Sequence, residues 1–146
     1  MKNSFNYPLF YFLQFTWGII QNIIGFFLYI ALLISNPKRF RGKFLGTRVI
    51  TWNRLDSASI GIFIFLSNRD RNFKRVLVHE FGHCIQSCIL GPFYLLFIGI
   101  PSLIWCHYPS FKLNRARGKY RYSSFYTERW ANSLAQEITG LPTINH

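Results

Sequence analysis

At 146 residues the chain has the length of one compact domain, but half of its residues are hydrophobic, 19% are aromatic, and 17 Lys+Arg face 5 Asp+Glu for a net charge of +12. That balance points to a polyanion. The chain has no helix-turn-helix pattern, no RNP aromatics and no Cys/His finger spacing, which argues against nucleic acid and for an anionic membrane surface. Cys84, Cys88 and Cys106 are odd in number and lack framework spacing, so they read as reduced thiols.

The first element is the uncharged run Pro8 to Ser35, PLFYFLQFTWGIIQNIIGFFLYIALLIS. About 20 apolar residues cross a bilayer as helix, so this run predicts an N-terminal transmembrane anchor over residues 1–36. It is too long, and lacks the small-residue cleavage site, for a signal peptide. Gln14, Gln21 and Asn22 are its polar exceptions, expected to face a partner helix or the rest of the protein. Lys38, Arg39, Arg41 and Lys43 follow the run, whereas only Lys2 precedes it. The positive-inside rule then puts the remainder of the chain on the cytoplasmic face of the membrane.

Residues 37–146 are expected to form one metal-binding domain. TRVITW and IGIFIFLS, over 47–67, are rich in β-branched and aromatic residues and predict a small β-hairpin around NRLDSAS. The IGIFIFLS strand is a possible edge on which an extended peptide adds. A helix follows, capped by Asp70 or Asn72, running to about Leu90 and stopped by Gly91 and Pro92. Residues 92–106, PFYLLFIGIPSLIWC, are short for a span and flanked on both sides by basic residues. They predict a re-entrant or interfacial hairpin, with a true second span as the alternative. KLNRARGKYRY reads as a solvated basic loop. The last helix is expected from about Ser124 to Thr139, capped by Ser123 or Ser124 and ended by Gly140 and Pro142.

The chemistry concentrates in VHEFGHC, residues 78–84. Residues four apart on a helix lie one above the other, so His79 and His83 present two imidazoles at a distance one divalent ion bridges. Glu80 sits beside such an ion, where a carboxylate can take a proton from water that zinc has made acidic. A catalytic zinc needs a third protein ligand and an open position. The remaining acidic residues are Asp56, Asp70, Glu128 and Glu137, and the spare histidines are His107 and His146. Glu128 stands out because Glu128, Ala131, Asn132 and Ala135 share one helical face. The alanines there let another helix come close, and Asn132 is placed to orient a ligand histidine through its other ring nitrogen. Glu137 lies off that face and reads as a surface residue. Gly82, costly inside a helix by about 1 kcal/mol, suits a point where a second backbone passes close.

HExxH followed by a later ExxA(D/N) helix resembles the membrane-anchored gluzincin metallopeptidases. HEFGHCIQSCILGPFYLLFIGIPSLIW with FYTERWAN looks like a family of short integral-membrane proteins carrying HExGHxxQS and YTExWAD over roughly residues 45–140. The resemblance implies a minimal zincin-like α+β membrane protein with His79, His83 and Glu128 as zinc ligands and Glu80 as catalytic base. Where the pattern has Asp, this chain has Asn132, which orients a histidine without adding charge. A site-2-type intramembrane protease would take its third ligand from a later Asp, whereas Asp56 and Asp70 both precede the motif. The expected activity is zinc-dependent hydrolysis of a peptide or membrane-protein substrate, with a partner subunit able to complete the cleft. The rival is a non-enzymatic membrane protein that binds zinc, lipid or a partner.

Overall fold

The computed structural model describes residues 5–144, so Lys2 and His146 lie outside the described residues. Among these are six α-helices and a four-stranded sheet, an α+β architecture. The expected single N-terminal helix is instead two, α1 (Tyr7–Phe15) and α2 (Ile19–Ser35), bent by 90° to one another. No single helix among the described residues is long and apolar enough to cross a membrane.

The polar residues of the run explain the bend. Asn22 Nδ2 donates 2.7 Å to the Gln14 carbonyl, which loses its helical donor because the Gly18 amide turns to the Leu13 carbonyl, and 3.0 Å to the Gly18 carbonyl. Gln14 Nε2 donates 3.0 Å to the Cys84 carbonyl, Gln21 Nε2 to the Gly91 carbonyl, and the Ile62 amide donates 2.9 Å to Asn22 Oδ1. The run is thus bonded to the rest of the chain along its length. The buried residues of α2 are Gln21, Asn22 and Gly25, while Ile19, Ile20, Ile23, Ile24, Phe26 and Phe27 are exposed. This is the reverse of a helix on a water-soluble domain.

The sheet runs β1 (Arg41–Phe44), β2 (Thr47–Trp52), β4 (Phe63–Ser67), β3 (Ala58–Ile60). The expected hairpin between 47–52 and 60–67 does not form: β2 and β4 pair parallel, with Ile50 opposite Phe65. The turn chemistry decides this. Leu45 and Gly46, both at positive φ, close β1 onto β2, and Gly61, at φ +63°, closes β3 onto β4. A Cβ on Gly61 would also meet Asn22 Oδ1 at 2.4 Å, so α2 seats directly on this turn. IGIFIFLS is consequently not an edge. All of β4 is buried between its neighbours, and the outer strand on the site's side is β3.

Helix α3 (Phe73–Leu90) has the expected bounds. It ends at Gly91, whose φ of +53° suits glycine and whose missing Cβ leaves room for the Trp17 ring. A 3₁₀ turn (Gly91–Phe93), a π turn (Leu95–Gly99) and α4 (Ile100–His107) then double back at 120° to α3. The apolar segment 92–106 is therefore not a hairpin by itself; it is one arm of a bend whose other arm is α3. Pro101 cannot donate to the Phe97 carbonyl four residues back, and the Tyr126 hydroxyl takes that acceptor at 2.7 Å. The basic stretch 112–122, expected as a loop, begins inside a helix, α5 (Pro109–Ala116). Helix α6 (Tyr126–Thr139) begins two residues later than expected, because Tyr122–Ser124 form a 3₁₀ turn and Phe125 takes the cap position without a side-chain bond.

Candidate metal centre

The site forms where α3 and α6 cross. Gly82 makes the crossing close: a Cβ there would fall 2.1 Å from the Ala131 carbonyl oxygen. Ala131 and Ala135 are fully buried on the facing side. The approach carries the Glu128 and Asn132 side chains, predicted to share that face, onto the HExxH face of α3. His79, Glu80, His83, Glu128 and Asn132 are all buried, Glu128 completely. Glu137 is exposed, as expected, and so is Arg129, the neighbour that could have made Glu128 a surface residue. Asp70 accepts a hydrogen bond from the Asn72 amide at the start of α3 and lies outside the cluster. Asp56 and His107 also lie apart from it, in a second group with Cys106.

Side-chain amides fix the orientation of both imidazoles. Asn132 Nδ2 donates 3.1 Å to the Ile144 carbonyl, which turns its Oδ1 toward His79 Nδ1 at 2.8 Å. Gln86 Nε2 donates 2.9 Å to the Thr127 carbonyl, which turns its Oε1 toward His83 Nδ1 at 2.7 Å. An amide oxygen only accepts, so each Nδ1 carries a proton, and in the neutral ring each Nε2 is a lone pair. Both Nε2 atoms then point at one carboxylate oxygen, Glu128 Oε2, at 3.0 and 3.2 Å. The other oxygen, Oε1, accepts from the Thr127 hydroxyl at 3.0 Å, and Ser102 donates in turn to Thr127 at 2.8 Å. Gln86, Thr127 and Ser102 were not found from the sequence. Gln86 carried a usable signal, since it lies three residues after His83 on the same helix.

With both rings neutral, three lone-pair atoms face one another at the centre of this arrangement, and a shared cation, either a proton or a metal ion, makes that favourable. The donor set of two imidazoles and one carboxylate suits zinc, whose bonds of roughly 2.0–2.1 Å give a tetrahedral edge of about 3.3 Å. The separations of 3.0 and 3.2 Å are close to that edge.

Without a metal, protons fill the role. Burial disfavours a charged His83, but the Glu128 carboxylate beside it outweighs burial, and His83 is pushed up to about 9. Burial likewise opposes ionisation of Glu128, yet His83 and the bonds from both histidines hold its carboxyl well below the ordinary range. For a group raised above its unfolded value, the stabilisation is complete below about 6.5 and is lost as pH rises through 9. Chelator-treated protein is therefore expected to lose thermal stability between pH 6.5 and 9. Zinc-loaded protein should not, since metal replaces the proton. Melting curves with and without zinc at both ends of the window check this.

Glu80 lies beside the triad. Burial pushes its carboxyl above the ordinary value, and Oε2 has no hydrogen-bond partner among the described residues. It lines a cavity of about 320 Å³ with His83, Glu128, Tyr94, Ser59 and Ile60. One wall of the cavity is strand β3; another is the arm formed by the π turn and α4, whose side chains Leu96, Phe97 and Ile104, outside the cavity lining, are exposed. The buried Tyr94 hydroxyl lies 3.5 Å from the Ser59 carbonyl on β3. Compared with protein-family models, with curated proteins and with solved structures, the chain shows no significant match.

Proposed function

We propose that this chain is a membrane-seated zinc metallopeptidase of minimal zincin-like design, with His79, His83 and Glu128 as ligands and Glu80 as general base. The carrying observation is the convergence of two tautomer-fixed Nε2 lone pairs on one buried carboxylate oxygen. Zinc, when bound, supplies a water of lowered pKa and a Lewis acid for the scissile carbonyl. Glu80 Oε2, buried and unpartnered, would serve as the general base, holding a proton and passing it to the leaving amine. Asn132 and Gln86 hold the two rings by their Nδ1 protons, so neither imidazole can rotate out of the site. An extended substrate adds to β3, the outer strand beside Glu80, and sets an apolar side chain in the adjoining cavity.

The inverted face of α2 and the exposed apolar side of the arm support a seat in lipid. The bent helices dip into one leaflet, and the basic segments meet anionic headgroups on the cytoplasmic side.

Glu80→Gln tests the reading with two readouts. The variant is expected to keep its zinc and to lose at least about 10²-fold in hydrolysis of a quenched peptide library in detergent. A carboxylate raised by burial costs stability at neutral pH, so metal-free Glu80→Gln is expected to melt higher than the metal-free parent. Equal turnover in parent and variant would leave a zinc-binding membrane protein without peptidase chemistry.

A further inference from the structure

A second cluster lies across the cavity from the triad and shares no residue with it. Asp56 sits in the segment between β2 and β3; Cys106 and His107 close the end of α4. Their ligand atoms all lie within 4.8 Å of one another. His107 Nδ1 donates 3.2 Å to the Leu103 carbonyl, so its Nε2 is the free nitrogen, and it faces Asp56 Oδ2 at 3.3 Å. Arg54 Nε engages the other oxygen, Oδ1, at 3.2 Å, and the Trp52 indole holds the Asp56 carbonyl at 2.8 Å, so the carboxylate is fixed in place. Once more a nitrogen lone pair and a carboxylate oxygen confront each other.

We propose that Asp56, Cys106 and His107 form a second, solvent-accessible site for a borderline-soft divalent metal such as zinc. A proton on His107 would satisfy the imidazole and the carboxylate but does nothing for the sulfur. A sulfur, nitrogen and oxygen donor set is the kind that zinc and its neighbours take. Cys84 and Cys88 are buried, so Cys106 is the thiol within reach of solvent. The donors come from two walls of one opening: Asp56 and Cys106 line both cavities that reach Glu80. A metal there ties the segment before β3 to the end of α4 and narrows the mouth. Excess zinc would then slow turnover. That consequence rests on the peptidase reading; the site itself does not.

The test uses full-length protein in detergent and cobalt as the probe. His83→Ala, which removes a donor of the buried triad, is expected to bind one cobalt with a thiolate charge-transfer band. The band should vanish in His83→Ala/Cys106→Ser and in His83→Ala/His107→Ala. Maleimide labelling of unmutated protein supplies a measurement that needs no variant. Zinc at ten times its dissociation constant is expected to slow Cys106 labelling about tenfold. No thiolate band, with labelling indifferent to zinc, would overturn the proposal and leave Asp56–His107 an ordinary ion pair.

Discussion

Gly82→Ala is expected to destabilise the protein by about 2–3 kcal/mol and to strip the buried site of metal. In an exposed helix the same change stabilises, by about 1 kcal/mol, because alanine is the better helix former. The sign reverses here because the new Cβ would lie 2.1 Å from the Ala131 carbonyl oxygen and 2.6 Å from its carbon. Both are backbone atoms of a helix and cannot step aside as the end of a long side chain can. The two helices must separate, and Glu128 and Asn132 leave with α6, so Glu128 Oε2 withdraws from both Nε2 atoms. Chemical denaturation and zinc retention should therefore fall together. Gly42→Ala is the control: a Cβ there meets nothing closer than 3.5 Å, and it is expected to leave zinc retention unchanged. A Gly82→Ala protein of parental stability with full zinc would refute the close crossing.

Removing residues 1–36 is expected to abolish folding rather than release a soluble metal-binding domain. A detachable anchor would be joined by a linker with few bonds across the boundary. Here Gln14 bonds the Cys84 carbonyl on α3, Gln21 the Gly91 carbonyl at its end, and Asn22 the Ile62 amide beside the β3–β4 turn. Phe10 belongs to the same core cluster as Phe81, within the HExxH motif. Truncation would remove these three bonds together with the packing of Phe10 on the core; at about 1–3 kcal/mol for each buried polar group left without its partner, the loss is comparable with the whole stability of a small domain. Expression of residues 37–146 should give insoluble material without bound zinc. The milder Gln14→Leu/Gln21→Leu protein should express and melt lower than the parent. A soluble, zinc-retaining 37–146 fragment would show that the first helices are dispensable.

The convergence of His79, His83 and Glu128 was legible because it depends on local periodicity. His79 and His83 had to share a face of any helix through VHEFGHC, and Glu128, Ala131 and Asn132 a face of the other. Gly82 signalled the contact between those faces. Other features depended on partners distant in sequence. The β-branched and aromatic residues of TRVITW and IGIFIFLS do not declare parallel pairing; the turn at Gly61, within the second stretch, and its contact with Asn22, about 40 residues earlier, do. The length and apolarity of 8–35 predicted a single spanning helix, because a count of apolar residues ignores where Gln14 and Asn22 find partners. The basic stretch 112–122 was read as a loop on charge alone, although a short helix begun at Pro109 runs into it as far as Ala116. Thr127 could be recognised only once Glu128 had been placed between the two histidines, whereas Gln86, one turn after His83, had a local signal.

The most direct test of the central claim is zinc per chain after exhaustive dialysis, measured in the Cys106→Ser background so that only the buried triad is read. One zinc per chain is expected, falling to none in both His83→Ala and Glu128→Ala. Zinc absent from the parent even after reloading, or retained by both variants, would contradict the three-ligand centre.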